Sequence, residues 1–231
     1  MATHSSPPAF LFDLDGTLID SVYQHVLAWH EALAQSGTEL SVWRIHRRIG
    51  MSGGLFVNAL LREVGGDLST VDSERLQAIH AEAFKRIASQ VRPLPGAREL
   101  LSALAAENVP HAIATSGRRD TAGISIEMLG VSATVPVITR DEVRYAKPDP
   151  DLFLAAAERL GVPIERCVVV GDSIWDLLAA QRARALGVGV LSGGYGEQEL
   201  ERAGAYRVYQ DPRDLLDHLD ELGVRRQRAM P

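Results

Sequence analysis

Two aspartates one residue apart close an apolar run near the start of the chain: Phe10-Leu11-Phe12-Asp13-Leu14-Asp15-Gly16-Thr17. Side chains at i and i+2 of a strand point to the same face. Asp13 and Asp15 are therefore expected to stand together where the backbone leaves the core. Like charges placed so close repel, and each pushes the other's pKa up. A hard divalent cation such as Mg²⁺ removes that penalty and takes oxygen ligands. The strand end thus reads as a metal site with a carboxylate to spare for chemistry. Three further segments carry matching groups. His111-Ala112-Ile113-Ala114 runs into Thr115-Ser116-Gly117; a loop holds Ala146-Lys147-Pro148-Asp149-Pro150; Val168-Val169-Val170 runs into Gly171-Asp172-Ser173-Ile174-Trp175-Asp176. Carboxylates, a hydroxyl, an ammonium and turn N–H groups together suit a phosphate monoester bound with Mg²⁺.

The elements that must bring these groups together alternate along the chain. Short β-rich apolar runs lie at Ala9–Phe12, His111–Ala114, Thr134–Ile138, Cys167–Val170 and Val188–Leu191, with a weaker one at Tyr206–Tyr209. Helical patterns separate most of them: Glu99–Leu104, Asp151–Leu160 with Gly161 in C-cap position, and Trp175–Leu186 closed by Gly187. This alternation predicts an α/β fold, a doubly wound, Rossmann-like parallel sheet with helices on both faces. Ligands in such sheets sit beyond the carboxyl ends of the strands, where all four chemical segments fall. From Ser21 to about Gln90 the alternation stops. Amphipathic helices are expected at Val22–Gln35, with a stripe at Val22, Val26, Trp29 and Leu33, then at Gly54–Val64 and Ser73–Ser89. The exits at Leu18–Ser21 and Val91–Gly96 read as hinges.

At 231 residues the chain can bury a sizeable core without staples. Its formal net charge of −6 argues against a general nucleic-acid binder, and the short basic tail Arg225–Arg228 reads as solvated. Cys167, the lone cysteine, sits in an apolar run and suits a reducing cytoplasm. Met1–Pro8 has neither a charged n-region nor a long apolar stretch, and no segment approaches the ~18 apolar residues that span a bilayer. Nothing in the pattern sets the oligomeric state.

Asp13-x-Asp15-Gly16-Thr17, Thr115 after its strand, Lys147 before a proline and Gly171-Asp172-x-x-x-Asp176 resemble the four ordered motifs of the haloacid dehalogenase superfamily. The helical insertion resembles that family's C1 cap, so residues 1–20 and 92–231 are expected to form the core and 21–91 the cap. The resemblance implies a Mg²⁺-dependent phosphatase acting on a small phosphorylated metabolite such as phosphoglycolate or a sugar phosphate. It makes Asp13 the nucleophile and Asp15 the general acid and base. Thr115, Ser116, Gly117 and Lys147 would bind the phosphoryl group. Mg²⁺ would lie between the carboxylates of Asp13 and Asp172 and the Asp15 backbone carbonyl, with Asp176 bonding metal-bound water or holding Lys147. Asp15 sets the chain apart from dehalogenases proper, which lack this second aspartate. His25 matches a histidine that couples cap closure to the general acid in mutases of the β-phosphoglucomutase type. Those mutases also grip a second phosphate with a cap arginine whose position falls here on Gly53. That loss favours hydrolysis over the alternative, a phosphosugar mutase, although Arg44, Arg47 and Arg48 lie nearby. Arg44, His46, Arg47, Arg48, Ser52 and Asn58 are the candidates for an inward-facing specificity role. Two blander readings stand beside these: Thr115 and Ser116 as caps of a helix over Arg118–Met128, and Gly193-Gly194-Tyr195-Gly196 as a strand-to-helix turn.

Overall fold

The structure, a computed structural model, describes residues 7–64 and 73–224. The basic tail Arg225–Arg228 and most of Met1–Pro8 lie outside them. Strand β1 (Ala9–Phe12) is fully buried, as its unbroken apolar sequence requires of a central strand. After it come a two-residue strand β2 (Ile19–Asp20) and four helices, α1 (Val22–Gln35), α2 (Val42–His46), α3 (Gly53–Val64) and α4 (Ser73–Ile87). The chain returns through β3 (Arg92–Pro93), which pairs antiparallel with β2, Ile19 opposite Pro93 and Asp20 opposite Arg92. The two expected hinges therefore meet in one short ribbon.

The rest alternates: α5 (Ala97–Ala106), β4 (His111–Ala114), α6 (Arg119–Leu129), β5 (Val137–Ile138), α7 (Asp151–Leu160), β6 (Cys167–Gly171), α8 (Ile174–Ala183), β7 (Leu186–Val190), α9 (Glu197–Arg202), β8 (Ala205–Tyr209) and α10 (Pro212–Asp217). Six parallel strands form one sheet in the order β5-β4-β1-β6-β7-β8. The chain winds outward from β1 to β4 and β5, then crosses to β6 and winds the other way. The reversal puts a crevice between the ends of β1 and β6, where a doubly wound sheet binds its ligand.

Side-chain alternation builds the layers. Phe10 and Phe12 of β1 join Leu100, Leu104 and Leu215 in a core on one face. Ala9 and Leu11 join Leu152, Phe153, Val169 and Ala180 on the other. The predicted stripe of α1 is buried, and Val22, Val26, Trp29 and Leu33 pack with Ile45, Phe56 and Leu76 in a cluster drawn wholly from the four-helix segment. Phe84 of α4 instead joins the sheet-side core, tying that segment to the sheet. Among the described residues, no helix is long and apolar enough to cross a membrane.

Two expected boundaries are corrected. The run Thr134–Ile138 yields strand only at Val137–Ile138. Pro136 brings no N–H to a ladder, and Val135 is drawn into a turn on Ser132. Gly187 does not close the helix before it; α8 ends at Ala183, Arg184 takes the left-handed cap at φ 65°, and Gly187 lies inside β7. A Cβ on Gly187 would meet Leu177 at 3.1 Å, so glycine there serves the close approach of β7 to α8.

Because β1 carries the first site segment, Phe10→Ala should lower the unfolding free energy by about 3–5 kcal/mol without changing the denaturant slope. Urea unfolding followed by circular dichroism checks this; a loss under ~1 kcal/mol would contradict the packing described.

Candidate active site

The four chemical segments converge at the β1/β6 crevice. Asp13 is anchored as the chain leaves β1, its N–H donating to the Val170 carbonyl at 2.9 Å. Behind it lies Lys147, fully buried, which donates to Asp13 Oδ1 and pairs with Asp176 Oδ1 at 2.8 Å. The other oxygen of Asp176 accepts from the Ser173 N–H at 3.1 Å and hydroxyl at 2.5 Å, closing a capping box on α8. Asp176 is therefore no surface carboxylate; it starts a helix and holds the lysine at once. Asp172 accepts from the Thr17 hydroxyl at 3.0 Å. Ligand atoms of Asp13, Asp172 and Asp176 lie within 4.8 Å of one another.

Three buried carboxylates face one ammonium, and their proton affinities reflect it. Burial, partly offset by Lys147 and reinforced by Asp176, raises Asp13 to about 7. Burial, then the charges of Asp176 and Asp13, hold Asp172 well above the ordinary range. Burial opposes the charge on Lys147, but Asp13 and Asp176 outweigh it and raise the lysine.

Asp15 shares the cavity with Asp13 as its spacing suggests, but its own pKa is not raised. Its carboxylate accepts from the Ser21 hydroxyl at 2.6 Å and lies 3.3 Å from His25 Nε2. Burial alone would raise its pKa; the charge and hydrogen bond of His25 and the Ser21 hydroxyl win, and it is lowered. The strand ends at Phe12, and Asp15 sits in the turn that follows, with Gly16 at φ +87°, so the period-two rule no longer governs it.

His25 leads to a residue that the sequence pattern did not mark. Its Nδ1 lies 3.1 Å from His80 Nε2 of α4, and its ring stacks on Phe84 with centroids 4.0 Å apart. His80 stacks on Trp29 at 4.2 Å, and burial, then His25, hold its pKa well below the usual histidine value. The available signal was position: His80 falls four residues after Leu76 and four before Phe84, on the buried face of α4.

Thr115, Ser116 and Gly117 line one cavity with Asp13 and Asp15. Neither hydroxyl caps a helix. The Thr115 oxygen accepts from the Gly117 N–H at 2.9 Å, and Ser116 donates to the Gly50 carbonyl at 2.9 Å, while α6 starts only at Arg119. The loop between α2 and α3 docks here. Ser52 N–H donates to the Lys147 carbonyl at 3.3 Å, and His46 Nε2 lies 2.8 Å from the Gly193 carbonyl. Gly193-Gly194-Tyr195-Gly196 is a strand-to-helix turn as expected, with an added constraint: a Cβ on Gly193 would fall 1.7 Å from Asp172 Oδ2. Of the six residues considered for specificity, none lines the cavity. Arg47 is held by Glu199 at 2.5 Å and the Tyr195 ring at 4.2 Å, and Asn58 is exposed. Gly50, Met51, Gly53 and Phe56 occupy that part of the wall instead.

The cavity measures about 400 Å³. Of the clustered carboxylates, Asp13 alone reaches it; Asp172 stands behind. The donor set is all oxygen and over-negative, and glycine at 16 and 193 lets backbone close around Asp172, so the residues fit a hard divalent cation.

Residues 7–184 match the family described as haloacid dehalogenase-like hydrolases. A crystal structure of a hydrolase from Pseudomonas syringae is 57% identical and superposes with a TM-score of 0.90, covering 93% of this chain and 98% of its own. A phosphoglycolate phosphatase of Rhodospirillum rubrum is 32% identical over 222 residues, 92% of this chain and 91% of that one. A β-phosphoglucomutase of Bacillus subtilis is 28% identical, over 90% of this chain and 91% of that one.

The raised carboxyls make a stability prediction. Above the ordinary carboxyl pKa of 3.8, the folded chain holds protons on Asp13 and Asp172 that the unfolded chain has lost. Stability should then fall as pH rises from about 4 to about 7. Thermal melts in chelator should give a lower Tm at pH 8 than at pH 5, with the difference shrinking in Asp13→Asn; a flat profile would contradict the assignment.

Proposed function

The chain belongs to the haloacid dehalogenase-like hydrolases, and from there we propose that it is a Mg²⁺-dependent phosphatase of a small phosphorylated metabolite, working through an aspartyl-phosphate. One observation carries the reading: Asp13 is both a member of the buried acidic cluster and part of the cavity wall. A carboxylate in that position can attack a phosphorus that enters the cavity while its charge is balanced from behind.

Asp13 attacks phosphorus in line, and the bond to the ester oxygen breaks. Asp15 delivers a proton to that oxygen, which leaves as an alcohol. It then takes a proton from the water that cleaves the acyl phosphate, returning Asp13 and releasing inorganic phosphate. The Thr115 hydroxyl and the Ser116 N–H donate to the phosphoryl oxygens, the Gly117 N–H instead orienting the Thr115 oxygen, and Lys147, behind Asp13, supplies compensating charge. Asp176 positions that lysine. The Asp13 and Asp172 carboxylates and the Asp15 carbonyl would hold Mg²⁺, which when bound offsets the repulsion between anionic substrate and nucleophile. Residues 21–91 act as a cap on the core formed by 1–20 and 92–231, turning on the β2–β3 ribbon and bringing His25 to Asp15. The buried free thiol of Cys167 suits a reducing cytoplasm.

A mutase must hold a second phosphate, and two observations support hydrolysis instead. Gly53 has no side chain to offer, and a Cβ there would meet Gln77 Oε1 at 2.8 Å. Arg47 is committed elsewhere.

Phosphate release from a panel of phosphorylated metabolites tests the reading. Asp13→Asn should cut turnover by roughly 10³-fold or more at unchanged fold; turnover within tenfold of the parent would end the nucleophile assignment. In melts at pH 8, Mg²⁺ at about 100 times its Kd should raise Tm by roughly 5–10 °C. That gain should be smaller at pH 5, where the carboxyls are protonated, and a pH-independent gain would place the ion elsewhere.

A further inference from the structure

One side chain of the helical segment, His46, meets the core beside an acid of the cluster without facing substrate. It is the last residue of α2 and lies off the cavity wall, and its Nε2 stands 2.8 Å from the Gly193 carbonyl. A carbonyl oxygen only accepts, so Nε2 carries the hydrogen and donates it. The ring is held as well. It stacks on Tyr23 with centroids 5.5 Å apart and tilts against Tyr195 at 5.8 Å. Gly194, at φ +88°, leaves room for it; a Cβ there would lie 2.9 Å from His46 Nε2 and 3.1 Å from the Tyr23 hydroxyl. The donor that α2 brings to this turn is thus fixed in direction by α1 and by the turn itself.

The same turn walls in Asp172. The Gly193 backbone lies against Asp172 Oδ2, while the other carboxylate oxygen accepts from Thr17. Ser192, one residue earlier, donates to the Gly16 carbonyl at 2.6 Å. Gly16 closes on the same oxygen, Asp172 Oδ2, which would stand 2.5 Å from a Cβ there. The two turns form a collar around one carboxylate. Asp172 cannot swing without displacing backbone, and the backbone at Gly193 is what His46 grips. The neighbouring contacts of α2 fall later in the turn: the Arg47 guanidinium engages Glu199 and the Tyr195 ring, and the Arg47 carbonyl takes the Tyr195 hydroxyl.

Building on the reading of residues 21–91 as a cap over a Mg²⁺ site, we propose that His46 is a positioning residue for Asp172. The cap holds the Gly193 turn through it, so docking of α2 and binding of Mg²⁺ strengthen each other. Such coupling is reciprocal by necessity: whatever the docked cap adds to metal affinity, the metal adds to cap docking.

Calorimetry at pH 8 measures the Kd of Mg²⁺ for the full chain and for three variants, none of which removes a proposed ligand. His46→Ala should raise that Kd about tenfold, the size of a typical coupling between sites. His46→Gln keeps an amide N–H for the Gly193 carbonyl and should stay within about threefold of the parent. Arg47→Ala breaks the neighbouring pair with Glu199 and leaves Gly193 held, so its Kd should stay within about twofold. An unchanged Kd in His46→Ala, a His46→Gln variant as weak as His46→Ala, or an equal loss in Arg47→Ala would each overturn the proposal. Amide hydrogen exchange gives the reciprocal readout. Mg²⁺ should slow exchange in α2 of the parent and not in His46→Ala. Exchange in α2 of the parent that ignores Mg²⁺ overturns the proposal even where His46→Ala fails to fold. Both readouts work without turnover. A chain that binds Mg²⁺ but releases no phosphate strikes the phosphatase reading, and the Kd values still decide the role of His46; a chain that binds no Mg²⁺ ends that role outright.

Discussion

Three buried carboxylates share one buried ammonium, and the rest of the site follows from that imbalance. Lys147 cannot neutralise Asp13, Asp172 and Asp176 together. Folding brings them together only because each carboxylate also has a structural task. Asp176 closes the first turn of α8, and Asp172 is bonded by Thr17. The residual negative charge creates the demand for a cation, and one carboxylate of the set opens onto the cavity. A site with balanced charges would be more stable on its own and would bind no metal.

The same arrangement explains why glycine appears where it does. Gly16 and Gly193 approach Asp172 from two separate segments, and a Cβ at either would collide with its carboxylate. Gly171 meets Asp176 in the same way, at 2.2 Å from the would-be Cβ to Asp176 Cβ. Side chains are removed around the acids so that backbone can reach them.

Much of this was legible in the chain. The strand ends announced themselves because a buried parallel strand is an apolar run and its first polar residue stands at the ligand edge. That rule found Asp13, Thr115 and Asp172, and a proline after it marked Lys147. It misjudged only the proton affinity of Asp15, because the turn after Phe12 brings that carboxylate to Ser21 and His25. It missed His80 because a histidine on an amphipathic helix has no local signature; its meaning comes from His25, fifty-five positions away. Arg44, Arg47 and Arg48 looked like substrate ligands from their charge alone. For Arg47 the neighbours that hold it, Glu199 and Tyr195, lie far along the sequence.

The α2–α3 loop joins these themes, because it meets the sheet without reaching into the chemistry through its charged residues. Beside the Arg47–Glu199 pair, its backbone docks at three points: the Gly50 carbonyl takes Ser116, the Ser52 N–H meets the Lys147 carbonyl, and the Arg47 carbonyl takes the Tyr195 hydroxyl. Gly50, at φ +94°, also passes so close to Ser173 that a Cβ would lie 2.8 Å from its hydroxyl. Ser116 precedes the Gly117 turn at the phosphoryl subsite, and Ser173 caps the helix that holds Asp176. Closure of the helical segment would therefore be registered by the backbone around the phosphoryl subsite. The side chains of α1, α3 and α4 would then be left to distinguish leaving groups. A division of that kind lets the cap wall vary its substrate while the reacting groups keep their places.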